Sequence, residues 1–283
     1  MPTYAITTED VEYLRHGDKR LVARLYRPTG AGPFAAVVDL HGGAWTSGDL
    51  TGTRGLDETL AKNGVVAASL EFRHQADGYP TSLVDINYAI RWLKARARDF
   101  KVDPGRVGIA GQSSGGHLAM LAAMRPNDAR YASIPSPAGS PPVDASVRAV
   151  AMSWPVINPL SRYRHAQKAA SSANPPAFSI GMKEKHDLYW KTEAAMAEGN
   201  PMLILERAER AAMPPALWVQ GRPDIVHDYH DDDSSFPGNE PERFISNYRN
   251  AGGDIEIVYV DNEKRSTSAS FDPIAAFFKK HLG

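Results

Sequence analysis

Residues 107–120, VGIAGQSSGGHLAM, leave this chain few folds to choose from. The apolar run 107–110 reads as a short buried strand. Gly111-Gln112-Ser113-Ser114-Gly115 follows at once as G-x-S-x-G, and residues 117–124 read as a buried helix. Glycines on both sides of a serine at a strand-to-helix junction remove the Cβ atoms that would clash in so tight a turn. The Ser113 hydroxyl is then expected to stand above the sheet edge. The helix beyond it points free N–H groups and a partial positive charge at any negative charge developing there. A glycine-rich turn without chemistry is the bland alternative, and the strand before and helix after it weigh against that.

The flanking sequence repeats the alternation. Residues 4–27 alternate like antiparallel strands, and 34–40 form a continuous apolar strand running into His41-Gly42-Gly43-Ala44-Trp45. Two glycines after a strand let backbone N–H groups face a site without obstruction, as an oxyanion hole requires, although a plain turn reads the same way. Residues 56–63 look helical, 65–70 are a buried strand, and Leu83, Ile86, Ile90 and Leu93 mark a helix after Tyr79-Pro80. Asp103-Pro104-Gly105 reads as the loop before the Ser113 strand. Such an order predicts a parallel sheet with helices on both faces.

Beyond residue 126 the pattern changes. Pro135, Pro137, Pro141 and Pro142 mark an irregular surface loop, and 147–154 is another buried strand. Residues 157–213 hold helical pieces but no sheet strand, which predicts a lid inserted into a single domain spanning 1–283. Tyr163, Phe178, Tyr189 and Trp190 in this insertion either line an apolar site or pack it onto the body. His165 and His186 read as surface residues, as does His74 earlier unless it lines the pocket rim, and Arg162, Arg164, Lys183 and Lys185 either meet a carboxylate or face solvent, the plainer reading. The sheet resumes at 216–220, followed by Gly221-Arg222-Pro223-Asp224, a helix over 242–250, a strand over 255–260 and a terminal helix over 274–281.

Composition excludes several classes of function. With 42% hydrophobic and 23% charged residues and a net charge of -1, nothing points to nucleic acid or an anionic membrane. There is no cysteine, so disulfides and thiolate chemistry are out, and neither a cofactor nor a metal is expected. The spacing of His227, His230 and Asp231 is weak evidence for a metal site. No apolar run approaches a membrane span and the first residues are charged throughout, which predicts a soluble, cytoplasmic protein.

These motifs together resemble the α/β-hydrolase fold, in its hormone-sensitive-lipase-like esterase and carboxylesterase branch. The resemblance covers about residues 20–283 and is carried by His41-Gly42-Gly43-Ala44-Trp45, Glu71-Phe72-Arg73, Asp103-Pro104-Gly105-Arg106-Val107, Gly111 to Leu118, and Gly221-Arg222-Pro223-Asp224. It implies an esterase acting on a small carboxylic ester, with Ser113 as nucleophile, Asp224 as triad acid, and the N–H groups of Gly42, Gly43 and Ser114 as oxyanion hole. Relatives in this branch are often dimers, which makes the terminal strand and helix candidate surfaces for a homodimer.

One element of the resemblance is missing. The triad histidine belongs in the loop after the last strand, yet residues 261–270 read DNEKRSTSAS, with Lys264 or Arg265 where the base should be. A serine hydroxyl needs a neighbour to take its proton. Arginine cannot serve, and lysine serves only with a strongly depressed pKa. His281 should be remote and solvated, and His117 should point beneath the turn. His227, three residues past Asp224, is the best substitute base, although an acidic solvated turn is the favoured reading of its loop. The alternatives to an esterase are a base-deficient relative that binds a small ligand without turnover, as in plant gibberellin receptors, and a lyase or isomerase using the same oxyanion hole.

Overall fold

The computed structural model describes residues 3–136 and 139–283; Met1, Pro2, Ala138 and the loop proline Pro137 lie outside the described residues. Among the described residues the strands are β1 (Ile6–His16), β2 (Lys19–Pro28), β3 (Phe34–Leu40), β4 (Val65–Leu70), β5 (Val102–Gln112), β6 (Val150–Ser153), β7 (Ala216–Arg222) and β8 (Ile255–Asp261). The helices are α1 (Arg54–Lys62), α2 (Thr81–Ala95), α3 (Ala97–Phe100), α4 (Ser114–Met124), α5 (Pro159–Ala170), α6 (Met182–Trp190), α7 (Glu193–Glu198), α8 (Pro201–Glu206), α9 (Glu240–Asn250) and α10 (Ser268–Leu282).

The strands form one sheet in the order β1-β2-β4-β3-β5-β6-β7-β8. Strands β1, β2 and β4 pair antiparallel, and every later pairing is parallel. Alternation along β3 shows why both faces need cover. Ala36, Val38 and Leu40 join a core with α2, α4 and α9, whereas Ala35 and Val37 join one with α1 and α10. Strands buried on both faces read as nearly continuous apolar runs, as β3, β4 and β6 do.

Strands β5 and β6 differ most from the sequence reading. Strand β5 starts at Val102 and takes in Asp103-Pro104-Gly105, read above as a loop: Phe34 pairs with Val102, then Ala36 with Val107, so the extra residues bulge out of the ladder. Strand β6 begins only at Val150, not at 147, and stops at Ser153, because Trp154 turns the chain with φ 36°. The segment between β6 and β7 carries α5 to α8. Its Tyr189 and Trp190 are buried around Trp45, with ring centroids 6.0 and 5.3 Å away, so packing onto the body is their structural role. No helix among the described residues is long and apolar enough to cross a membrane.

Candidate active site

The turn from β5 into α4 is held open by missing side chains. A Cβ on Gly111 would lie 2.3 Å from the Gly115 carbonyl oxygen, and one on Gly115 would lie 2.2 Å from that of Leu40. Between them Ser113 adopts φ 53°, ψ -119°, a conformation that costs an L-residue energy and persists only where its surroundings hold it. Those surroundings are hydrogen bonds: Ser113 N–H donates to Ser153 O at 2.9 Å, and Ser113 O accepts from Val156 and His117 N–H, both at 3.1 Å.

The loop after β3 approaches from the neighbouring strand. Gly43 sits at φ +115°, and a Cβ there would lie 2.0 Å from Ser47 O. Gly43 O accepts from Thr46 and Ser47 N–H, which closes the turn and leaves the N–H groups of Gly42 and Gly43 without a partner among the described residues. Gly42 packs so close to the elbow that its Cβ would lie 3.2 Å from Ser113 Cβ. Ser114 opens α4, so its N–H is also free of intrahelical bonding.

The third component arrives on one turn. Asp224, just beyond β7, accepts at Oδ1 from the N–H of Val226 (3.0 Å) and His227 (3.2 Å), so its own side chain shapes the turn. The His227 ring thereby swings back, and its Nδ1–H donates to Asp224 Oδ2 at 2.8 Å. Gln220 Nε2 gives the same oxygen a longer bond of 3.3 Å, and Gln220 is itself held by Trp218 Nε1 at 2.9 Å. With Nδ1 protonated, His227 Nε2 accepts from Ser113 Oγ at 3.0 Å. A hydroxyl, an imidazole and a carboxylate thus stand in line.

Burial lowers the pKa of His227, and the charges of Arg162 and Arg265 act in the same direction against the raising effect of Asp224. The ring is therefore neutral near pH 7 and free to accept a proton. Burial pushes Asp224 up, but its bonds to His227 and the two N–H groups outweigh this and keep it ionised. A cavity of about 300 Å³ opens here, lined by Gly42, Gly43, Ser113, Trp154, His227 and Arg265 among others.

Ser113, Gly42, Gly43, Ser114, Asp224 and His227 are accordingly brought together. His227 is not part of a solvated turn: it is 7% exposed. His117 lies beneath the elbow as expected, donating from Nε2 to Gly199 O at 2.7 Å and accepting from Trp45 Nε1 at 3.2 Å. Other readings need correction. His186 is buried against Trp45 and not at the surface, with burial depressing its pKa to about 4. His165 stacks on Tyr229 at 3.9 Å, and His74 is half-buried beside His41. His281 is remote from the site, but its ring packs on Phe277 with Nε2 buried. Arg162 is buried rather than solvated, and Arg164 pairs with Glu193 and Asp233. Sequence reasoning also missed Trp154 and Arg265 as parts of this wall and Gln220 as the buried donor behind Asp224. Only Arg265 had left a signal, by standing where the base was sought.

Comparison with known proteins agrees with this architecture. The chain is 34% identical over 128 residues to the probable carboxylic ester hydrolase LipM of Mycobacterium tuberculosis, a match spanning 43% of this chain and 29% of that protein. It is 35% identical over 108 residues to the ethyl acetate hydrolase of Pseudomonas putida, covering 36% and 34% of the two chains. These matches span about a third of the curated relatives' length. Among solved structures, a Pyrobaculum calidifontis esterase superimposes with a TM-score of 0.73 at 21% identity, covering 98% of this chain and 86% of the other. The metagenomic carboxylesterase EstE1 gives 0.74 at 22%, covering 99% and 91%. Both show the α/β-hydrolase fold. A family model described as BD-FAE matches residues 24–231, from β2 through the turn that bears Asp224 and His227. Because that match takes in most of the molecule, the chain belongs to the BD-FAE family.

Proposed function

We propose that the protein is a serine esterase that hydrolyses a small, partly apolar carboxylic ester, with Ser113 as nucleophile, His227 as general base and Asp224 as the group that orients it. The observation carrying this reading is the continuous hydrogen-bond chain from Ser113 Oγ to His227 Nε2 (3.0 Å) and from His227 Nδ1 to Asp224 Oδ2 (2.8 Å). Ser113 Oγ attacks the ester carbonyl carbon as its proton passes to His227 Nε2. The oxyanion is met by the N–H groups of Gly42, Gly43 and Ser114, donors of a kind worth about 100- to 1,000-fold in rate each. The tetrahedral species then expels the alcohol, which takes its proton from the His227 imidazolium. Water, deprotonated by His227, hydrolyses the acyl-serine and releases the acid. Curated relatives bearing the names of ester hydrolases support the same chemistry.

Residues 157–213 act in this reading as a lid whose packing on Trp45 braces the loop of the oxyanion hole. The base-deficient alternative loses its motive once an imidazole lies beside the hydroxyl. A fluorophosphonate probe should label the wild type and not Ser113→Ala, and hydrolysis in isotopically labelled water should place one label in the acid. Absence of labelling together with unlabelled product would reject an acyl-enzyme esterase.

A further inference from the structure

Arg265 stands apart from the other arginine at this rim. Arg222 lies over the Tyr259 ring and is also paired with Asp228 at 2.6 Å and Glu242 at 2.5 Å. Arg265 is half-buried, with its guanidinium carbon 5.5 Å from the centroid of Trp154, and no carboxylate pairs with it among the described residues. Both Arg265 and Trp154 line the cavity that holds Ser113 and His227. A second cation reinforces the imbalance. Arg162, from α5, is 3% exposed, its Nε and Nη1 have no hydrogen-bond partner, and it lies over Phe178 at 5.1 Å.

An unpaired guanidinium beside a general base works against catalysis, since it lowers the basicity of the imidazole. The charges of Arg162 and Arg265 do lower the pKa of His227. A bound anion reverses this. It neutralises the guanidinium, restores basicity to His227 and gains a charge-assisted, two-pronged hydrogen bond in a partly dehydrated site. A cavity with surplus positive charge is therefore complementary to a substrate that brings the missing negative charge.

We propose that the ester substrate carries a carboxylate near its scissile bond and that Arg265, beside Trp154, binds it and sets specificity. This rests on the esterase reading above and narrows its substrate to half-esters of diacids or acyl esters of hydroxy acids.

Two isosteric pairs test it. Monoethyl succinate against ethyl succinamate places the charge on the acyl side, and 4-acetoxybenzoate against 4-acetoxybenzamide places it on the alcohol side. In at least one pair the wild type should favour the anion in kcat/KM by at least about tenfold, the value of a modest charge-assisted bond. Arg265→Gln should bring that ratio to about one, and Arg265→Lys should retain part of it. Equal rates in both pairs, or a preference that survives Arg265→Gln, would overturn the inference and leave the esterase reading standing. No hydrolysis of any of the four, with Ser113 unlabelled by fluorophosphonate, would remove both.

Discussion

Asp224 and His227 are bound to each other twice: one carboxylate oxygen accepts the backbone N–H of His227 at 3.2 Å, and the other accepts its ring Nδ1–H at 2.8 Å. The carboxylate and the imidazole thus share one turn after β7, and the loop after β8 supplies Arg265 to the cavity wall.

Because one residue both builds the turn and orients the ring, Asp224→Asn should remove more than a charge. It loses the acceptor that fixes the His227 tautomer, and kcat should fall by about 1,000- to 10,000-fold. Steady-state kinetics on a p-nitrophenyl ester reads this; a fall of less than tenfold would mean that the carboxylate does not serve the ring.

The acid limb of kcat/KM follows from the depressed pKa of His227. A base whose folded-state pKa lies below the usual value of about 6.5 stays neutral to lower pH, so activity is lost only as pH falls through that lowered value. The midpoint should lie below 6.5 and move upward in Arg265→Gln, since a neighbouring positive charge is removed. A midpoint at or above 7 in the wild type contradicts the environment described for the ring.

Gly43 tests the oxyanion loop. Its φ of +115° and the 2.0 Å approach of Ser47 O leave no room for a methyl group, so Gly43→Ala must distort the turn that presents two N–H groups. The expected outcome is a loss of about 100-fold or more in kcat with a stability cost of about 1–3 kcal/mol, read by thermal unfolding. Full activity in Gly43→Ala would place the oxyanion donors elsewhere.

Beneath the site, Asp39 of β3 and Asp57 of α1 form a buried carboxyl pair. Burial raises Asp39 to about 7, and burial together with the neighbouring Asp39 charge raises Asp57 well above its usual value. Thr53 Oγ1 donates to Asp57 at 2.9 Å, and Leu40 N–H donates to Asp39 at 2.9 Å. The folded state keeps a proton that an unfolded aspartate releases near pH 4. The pair's contribution to stability is therefore present below about pH 4 and lost as pH rises through about 7. Asp57→Asn keeps a donor and removes the charge. Relative to wild type it should change little at pH 4 and gain on the order of 1–2 kcal/mol at pH 8.5 in urea unfolding. An equal difference at both pH values would mean that the pair holds no proton.

How far the sequence reveals this protein depends on whether each signal is local. Strands β3 and β4 fall on the residues expected, because burial on both faces writes itself as a nearly continuous apolar run. The elbow at Ser113 is visible for the same reason: its glycines answer clashes with residues close in sequence or on the adjoining strand. What failed was geometry that needs a side chain to fold its own backbone. HDYHDDD reads as a solvated acidic loop, and nothing in its composition tells that Asp224 accepts two backbone N–H groups and turns His227 inward. The burial of His186 was equally hidden, since it depends on Trp45, more than a hundred residues earlier.

The most direct measurement is kcat/KM of His227→Gln on a p-nitrophenyl ester, beside Ser113→Ala and with circular dichroism confirming that both variants fold. If His227 is the base, both variants fall by about 10,000-fold or more and to similar residual levels, as members of one proton-relay unit do. A folded His227→Gln within tenfold of the wild type would show that some other group takes the Ser113 proton.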